Sequence, residues 1–571
     1  MSATSGASRP PRSALSRRQV LAAGGTGLLA ATATPARAAT TRRKARTAAG
    51  DGTPEQVHLT WAEDPATSVV VSWASPGPAA KPQVRIGQRV IAAETRPYTD
   101  GISGETVWTY HARVGGLRPG ALYAYAVTAD NDDDATDPFT ATFRTAPEGR
   151  APFRFTSFGD LGTPNDDWVL SYGQSAYAVE AVESFQPLFH LLNGDLCYAN
   201  LNPASQPQVW RDFGDNNQTS AANRPWMPCL GNHEVEFGNG PQGFTSYLTR
   251  YTLPDNGVPG FGGRWYCLRI GSVLFVSLDA DDVVYQDAGA FVAGPDPLTP
   301  AAGAGQPAFE PGTSFYIRGY SGGAQTAWLE QALRAGRRDE SIDWIVVQMH
   351  QCAASSSARG NGSDLGIRQD WLPLFDRYEV DLVLAGHDHD YERSFPLRGC
   401  DPDAGRDPVT GAAADTLRPH PVTTADTGVF DTSTGTVHLV LGCGGAAENL
   451  DDYGTGSTED WSQAKVLTHA NRPVATAAPG VFDRPSCYAV EDAVWSARRD
   501  TSTGYGIAVF DVEPGTEAGG QTSITVRYYH AVGADPVNPA TGAAGGPTPD
   551  YTEFETFALV RPRADQAGRG F

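Results

Sequence analysis

At 571 residues the chain is too long for one simple core, so two folding domains are expected. A hydrophobic content of 40% with 12 Trp is that of a globular protein, and 63 Gly with 42 Pro favour strands and loops over long helices. The formal charge is −22, and since the five charged residues before position 39 are all Arg, the rest of the chain carries −27. A surface that acidic argues against nucleic acid or anionic membrane as partners and requires an anionic substrate to be attracted locally, as metal ions would do.

The first 38 residues are a targeting segment. Ser16-Arg17-Arg18-Gln19-Val20-Leu21 is a twin-arginine pattern, a mildly apolar stretch runs from Val20 to Ala33, and Ala36-Arg37-Ala38 offers an A-x-A cleavage site. Together they predict a twin-arginine signal peptide and export of a protein folded and metal-loaded beforehand, to be secreted or held at the cell surface. Residues 39–53, basic and small, read as a flexible leader, and no later apolar run is long enough to span a bilayer. From Pro54 the pattern alternates. Gln56–Trp61, Ser68–Trp73, Gln83–Gly87, Tyr110–Val114, Leu122–Val127 and Phe143–Thr145 come at sandwich spacing, so residues 54–147 are expected to form an all-β module. Gly116-Leu117-Arg118-Pro119-Gly120 ahead of Tyr123 and Tyr125 resembles the turn and tyrosine corner of fibronectin type III modules.

After a linker at Ala146-Pro147-Glu148-Gly149 the rhythm changes. Over residues 152–560 buried-looking strands alternate with helical segments such as Gln325–Leu333, where Trp328, Leu329, Ala332 and Leu333 share one face. This α/β layered pattern puts ligands at the carboxyl ends of strands. Two irregular stretches, Ala280–Gly312 and Asp401–Gly435, read as surface loops near that edge. The chain then returns to strands at Val437–Leu441, Gly506–Val512, Ile524–Tyr529 and Phe554–Leu559. Seven Cys, an odd number, leave at least one unpaired within the chain and show no zinc-finger spacing; Cys197 and Cys229 read as small buried residues.

Five apolar runs end in residues that bind metals. Phe153–Phe158 leads to Gly159-Asp160-Leu161-Gly162, Leu188–Leu192 to Asn193-Gly194-Asp195-Leu196-Cys197-Tyr198, and Trp226–Leu230 to Gly231-Asn232-His233-Glu234. Trp344–Gln348 leads to Met349-His350, and Val380–Ala385 to Gly386-His387-Asp388-His389. Two histidines two apart leave a strand end together and reach one centre from two sides. Asp160, Asp195, Tyr198 and His389 offer one ion three oxygens and a nitrogen, a set of potential anions that suits Fe(III). Asp195 as a bridge with Asn232, His350 and His387 is nearly neutral otherwise and suits a divalent ion: Zn, Mn or Fe. Two ions sharing a carboxylate lie roughly 3.5–4 Å apart and clamp an in-line displacement at phosphorus, attacked by a hydroxide made on the metals. His233, beside a ligand, is placed to hydrogen-bond phosphate oxygens or protonate the leaving alkoxide. His58, His111, His190, His420, His438, His469 and His530 lack partners at ligand spacing and read as structural or solvated.

In this order the five motifs, through Asp390-Tyr391-Glu392-Arg393 after the last, resemble the calcineurin-like metallophosphoesterases and, within them, the purple acid phosphatases. Tyr198 is the discriminating residue, because the wider superfamily usually lacks the phenolate. The resemblance covers Pro54 to Val560. It implies an α/β fold, a four-layer αββα sandwich preceded by the fibronectin type III-like sandwich, and a phosphatase acting on small phosphorylated substrates, with phosphomonoesters expected first and phosphodiester or nucleotide pyrophosphate hydrolysis as the alternative. The sequence departs from the plant-type pattern after His350, where Gln351–Gly360 contains none of the further histidines found near the substrate phosphate; Arg359 and Gln351 are the candidates to replace them.

Overall fold

The structure, a computed structural model, describes residues 52–565 apart from 130–137, 166, 171–172, 237, 241, 287–290, 293–317, 359, 447–461, 471–473, 476–480, 484–485 and 532–550. For 291–292, 469–470, 474–475, 481–483 and 486 it describes the backbone alone. The twin-arginine segment, nearly all of the leader, Arg359 and the side chain of His469 therefore lie outside the described residues.

Alternation from Pro54 onward gives two four-stranded sheets. One has the order Glu55–Thr60, Val69–Ser75, Thr106–Val114, Glu94–Thr99, and the other Arg89–Ala92, Pro82–Ile86, Leu122–Ala129, Phe139–Arg144. Val57, Leu59, Val71 and Trp73 from the first pack with Val84, Tyr125, Val127 and Phe143 from the second. Across the Gly116–Gly120 turn the Arg118 backbone N–H donates to the Tyr123 hydroxyl at 2.8 Å.

The remainder is built on two seven-stranded sheets. The first runs Trp226–Pro228, Phe189–Leu192, Phe153–Phe158, Gly506–Glu513, Gln521–His530, Glu553–Pro562, Val429–Asp431. The second runs Tyr266–Ile270, Val273–Ser277, Trp344–Gln348, Leu382–Ala385, Val437–Leu441, Tyr391–Ser394, Ser496–Arg499. The central strands are parallel and buried on both faces, which is why their sequences are continuous apolar runs. Their period of two still sorts the side chains. Val273, Phe275, Trp344, Val346, Leu382 and Leu384 face the core shared with Phe155, Phe189 and Phe510 of the first sheet. Leu274, Val276, Ile345, Val347 and Val383 face outward, where Leu329 and Leu333 of the helix Ala324–Arg338 and Ile367, Trp371 and Phe375 cover them. Helices Ser175–Phe185 and Gln206–Ala221 contribute Val179, Val182, Val209 and Trp210 to the core at the first sheet. The layers are thus α, β, β, α. The C-terminal strands belong to this body, since Phe510 stacks on Phe155 with ring centroids 4.4 Å apart.

The all-β module is bonded to this body. Trp61 and Ala146 join the main core. The buried Tyr125 hydroxyl donates to the Ala222 carbonyl at 2.7 Å, Thr60 Oγ1 to the Thr252 carbonyl at 2.7 Å, and Asn239 Nδ2 to Asp100 Oδ2 at 3.0 Å. Tyr98 Oη and Ser246 Oγ lie 2.9 Å apart. Most of these contacts fall on residues 239–252, the stretch that follows Asn232 and His233.

Parts of the stretches expected to be surface loops differ from that reading. Ala280–Asp282 is a buried 3-10 turn, and Gln286 is buried as well. Within Asp401–Gly435, Val429–Asp431 pairs in parallel with Glu553–Pro562 at the edge of the first sheet. Short strands without alternation carry no periodic signal, which explains the miss.

Candidate metal centre

The loops bearing Asp160, Asp195 and Asn232 leave one sheet and those bearing His350 and His387 leave the other, so the site is a seam between two sheet edges. The seam is tied by hydrogen bonds. Gln348 Nε2 donates to the carbonyls of Leu192 at 2.8 Å and Met227 at 3.2 Å. His350 Nδ1 lies 2.7 Å from the Asn193 carbonyl, which can only accept. His350 is therefore protonated on Nδ1. The turns are tight: of ten non-glycine residues with positive φ among those described, four are Asp160, Asp195, Tyr198 and His387. Such backbone costs of order 1–3 kcal/mol each and is kept where the surroundings enforce it. Gly194, at φ 80°, fits for the same reason, since a Cβ there would lie 2.6 Å from His350 Nδ1.

Two donor groups result. Asp160 Oδ1, Tyr198 Oη and His389 Nε2 form a triangle with sides of 3.2, 3.1 and 3.1 Å. Next to it, His350 Nε2 lies 3.0 Å from Asp195 Oδ2 and 3.2 Å from His387 Nδ1, and these three side chains bring donor atoms within 4.8 Å of one another. Asn232 is buried with neither its amide oxygen nor its nitrogen hydrogen-bonded by the protein. A buried amide left unpaired is costly, and a cation on its oxygen would satisfy it. The donor set fits two metal ions.

The charges favour cations here. Burial would raise Asp195, yet His350 and His233 beside it hold its carboxyl below the ordinary range. Burial would lower His350, but Asp195 and Asp160 push it up to about 10. A proton or a metal ion is thus drawn between His350 and Asp195, and metal binding must displace the proton. His387 is pulled well below its ordinary value by burial and by His350, which leaves it neutral. Burial and the neighbouring Asp160 push the Tyr198 phenol well above its usual range, so its ionisation there requires a strongly polarising cation.

The family model for the purple acid phosphatase N-terminal domain matches residues 54–145, and that for the calcineurin-like phosphoesterases matches residues 153–391. The chain belongs to the purple acid phosphatase-like metallophosphoesterases. It is a metal-dependent phosphoric ester hydrolase. An uncharacterized protein of Mycobacterium tuberculosis (strain ATCC 25618 / H37Rv) is 41% identical over 523 residues, covering 89% of this chain and 87% of its own. The Fe(3+)-Zn(2+) purple acid phosphatase 12 of Arabidopsis thaliana is 24% identical over 357 residues, covering 60% and 66%. The structure of purple acid phosphatase PPD1 from yellow lupin seeds superposes with a TM-score of 0.58 at 18% identity, covering 90% of this chain and 75% of that one, which places the fold.

All eight site residues expected from sequence converge on this phosphoesterase seam. His233 donates its backbone N–H to Asp195 Oδ1 at 2.8 Å, its Nε2 lies 3.8 Å from Asp195 Oδ2, and its ring packs on Tyr198 at 4.6 Å. Gln351 is not free to meet a phosphate, because its Nε2 donates to the buried Asp281 at 2.6 Å. Sequence reasoning missed two supports. Asn200 Oδ1 lies 2.8 Å from His233 Nδ1. Glu234 accepts from the backbone N–H groups of Asp195, Leu196 and Gly231 at 2.9, 2.8 and 2.8 Å, stitching two ligand-bearing loops together. Glu234 stood inside the Gly-Asn-His-Glu motif, whereas for Asn200 the only signal was its place two residues after Tyr198. His58, His111, His190 and His530 are engaged elsewhere, with backbone carbonyls, Ser72, Thr156 or Asp500.

Proposed function

We propose that the chain is an exported phosphomonoesterase with a dinuclear centre, Fe(III) on Asp160, Tyr198, His389 and the shared Asp195, and Zn, Mn or Fe in the divalent state on Asp195, Asn232, His350 and His387. The observation that carries this reading is the pair of adjoining donor groups around Asp195, one rich in oxygen donors and the other in nitrogen. The buried phenol of Tyr198 beside a carboxylate supports the ferric assignment. When bound, the two ions supply a water activated at neutral pH and a counter-charge for the phosphate.

The chain's own residues do the rest. With Asn200 accepting from Nδ1–H, His233 keeps Nε2 toward the seam; burial lowers its proton affinity, with His350 and His389 acting in the same sense, and a phosphate dianion restores it. His233 Nε2 then holds the proton that passes to the leaving alkoxide oxygen. Glu234 and the Asn193 carbonyl keep the loops rigid, which orients the phosphate.

The twin-arginine pattern, the apolar stretch and Ala36-Arg37-Ala38 support export and cleavage after Ala38. The Arg118–Tyr123 bond supports a fibronetin type III-like reading of residues 54–147, ahead of a catalytic domain spanning 152–560. No helix among the described residues is long and apolar enough to cross a membrane. The reading is tested with Asp195→Ala, which should lose metal and turnover together, and with paired p-nitrophenyl mono- and diesters. Full activity without metal would sink it. Faster hydrolysis of the diester would replace phosphomonoesterase by phosphodiesterase.

A further inference from the structure

We propose that Gln286 and Asn361 are positioning residues that fix His387 as an Nδ1 metal ligand, a role that rests on the two-ion reading above. Neither residue belongs to the five motif loops. Gln286 follows the buried turn after the strand Val273–Ser277, and Asn361 lies in the loop beyond His350.

The three residues form a closed ring of hydrogen bonds. Gln286 Oε1 lies 2.5 Å from His387 Nε2, Gln286 Nε2 lies 2.9 Å from Asn361 Oδ1, and Asn361 Nδ2 lies 2.7 Å from the backbone carbonyl of His387. Chemistry fixes every direction in this ring. The His387 carbonyl can only accept, so Asn361 must present its NH2 there and its oxygen to Gln286. Gln286 must then present its NH2 to Asn361 and its oxygen to the imidazole. Nε2 of His387 therefore carries the hydrogen, and Nδ1 is left with a bare lone pair. That lone pair faces His350 Nε2 at 3.2 Å; with the Nδ1–H of His350 committed to the Asn193 carbonyl, Nε2 becomes a second lone pair once the proton it shares with Asp195 is displaced. Two lone pairs directed at one point are what a shared cation needs.

The ring is also anchored from outside. Asp364 accepts from the backbone N–H groups of Tyr285, Gln286 and Gly366 at 2.8, 2.9 and 2.7 Å. Asp388 accepts from those of Asn361 and Gly362 at 2.8 and 3.0 Å and from Ser355 Oγ at 2.5 Å. Gln286 and His387 are buried, so water does not compete for the imidazole N–H. Partners of this kind orient a ligating histidine, and removing one typically weakens metal affinity roughly 10–100-fold.

The test is competitive Zn(II) titration of the metal-free full chain against a chromophoric chelator, with elemental analysis after dialysis and an unfolding curve of each metal-free variant. Gln286→Leu should bind the weaker of two Zn(II) ions roughly 10–100-fold less tightly and retain about one metal per chain after dialysis, while Gln286→Glu, which keeps an oxygen on the imidazole N–H, should retain about two. Asn361→Ala, at a half-buried position, provides the same test if Gln286→Leu fails to fold, with an expected loss of about 10-fold. Two ions held with parental affinity in Gln286→Leu, or in Asn361→Ala where it is the readable variant, would overturn the assignment. Equal loss in Gln286→Leu and Gln286→Glu would also overturn it, since an oxygen on the imidazole N–H would then not be what secures the ligand. A parent chain that binds a single ion fails earlier and refutes the two-ion reading itself.

Discussion

Replacing Glu234 by Gln should destabilise the metal-free protein by about 2–4 kcal/mol although the side chain keeps its size. Glu234 Oε2 accepts from the backbone N–H groups of Asp195 and Gly231, and Oε1 accepts from that of Leu196. A glutamine keeps one of these oxygens and turns an NH2 toward the other site. In its better orientation the amide faces Leu196, so one charge-assisted bond is lost and a buried N–H is left opposite another donor. Burial and the charge on Asp195 push the Glu234 acid group upward, but a protonated Glu234 would press its own O–H against a backbone N–H. The three donors decide for the carboxylate. The assay is denaturant unfolding of metal-free parent and variant at pH 7, reading midpoint and slope. Because the bonds join the loops of Asp195 and Asn232, Zn(II) affinity should fall with stability. A change below about 0.5 kcal/mol with unaltered Zn(II) binding would mean that Glu234 is held as the neutral acid, and the argument from its three donors would be wrong.

Glu236, buried against Trp210 and Asn239, is pushed up to about 7 by burial from an ordinary value of 4.5. The folded chain thus holds a proton that the unfolded chain releases, so stability should fall by about 3 kcal/mol as pH rises from about 4.5 to about 7. Glu236→Gln should flatten unfolding midpoints across that window; an unchanged slope refutes the assignment. The all-β module braces the stretch after His233, so the chain should unfold in one transition, and Tyr125→Phe, which leaves the Ala222 carbonyl unpaired, should lower stability by about 1–3 kcal/mol. Proteolysis near Ala146 that released two separately stable pieces, the larger still active, would contradict this.

Much of the site was legible because its chemistry is written in short strings at strand ends. Asp160, Asp195, Asn232, His350 and His387 each follow a buried parallel strand within a few residues, and in all but the His350 turn a glycine comes immediately before. What was hidden came from elsewhere in the chain. Gln286 and Asn361 lie in stretches without alternation, and each is a neutral amide whose role depends on which atom it turns to a histidine. Gly506–Glu513 was legible as a strand, but its insertion beside Phe153–Phe158 was not, because pairing across that separation is decided by packing such as the Phe155–Phe510 stack. The four-layer architecture was expected only through resemblance; alternation alone does not say which edges meet.

The most direct measurement is a visible absorption spectrum of the purified, metal-loaded chain, with elemental analysis on the same sample and on Tyr198→Phe. About two metals per chain including iron are expected, with a broad charge-transfer band that disappears in Tyr198→Phe. A colourless parent with two metals would remove Tyr198 from the ligand set. A chain that holds no metal and cannot be reloaded would contradict the central claim.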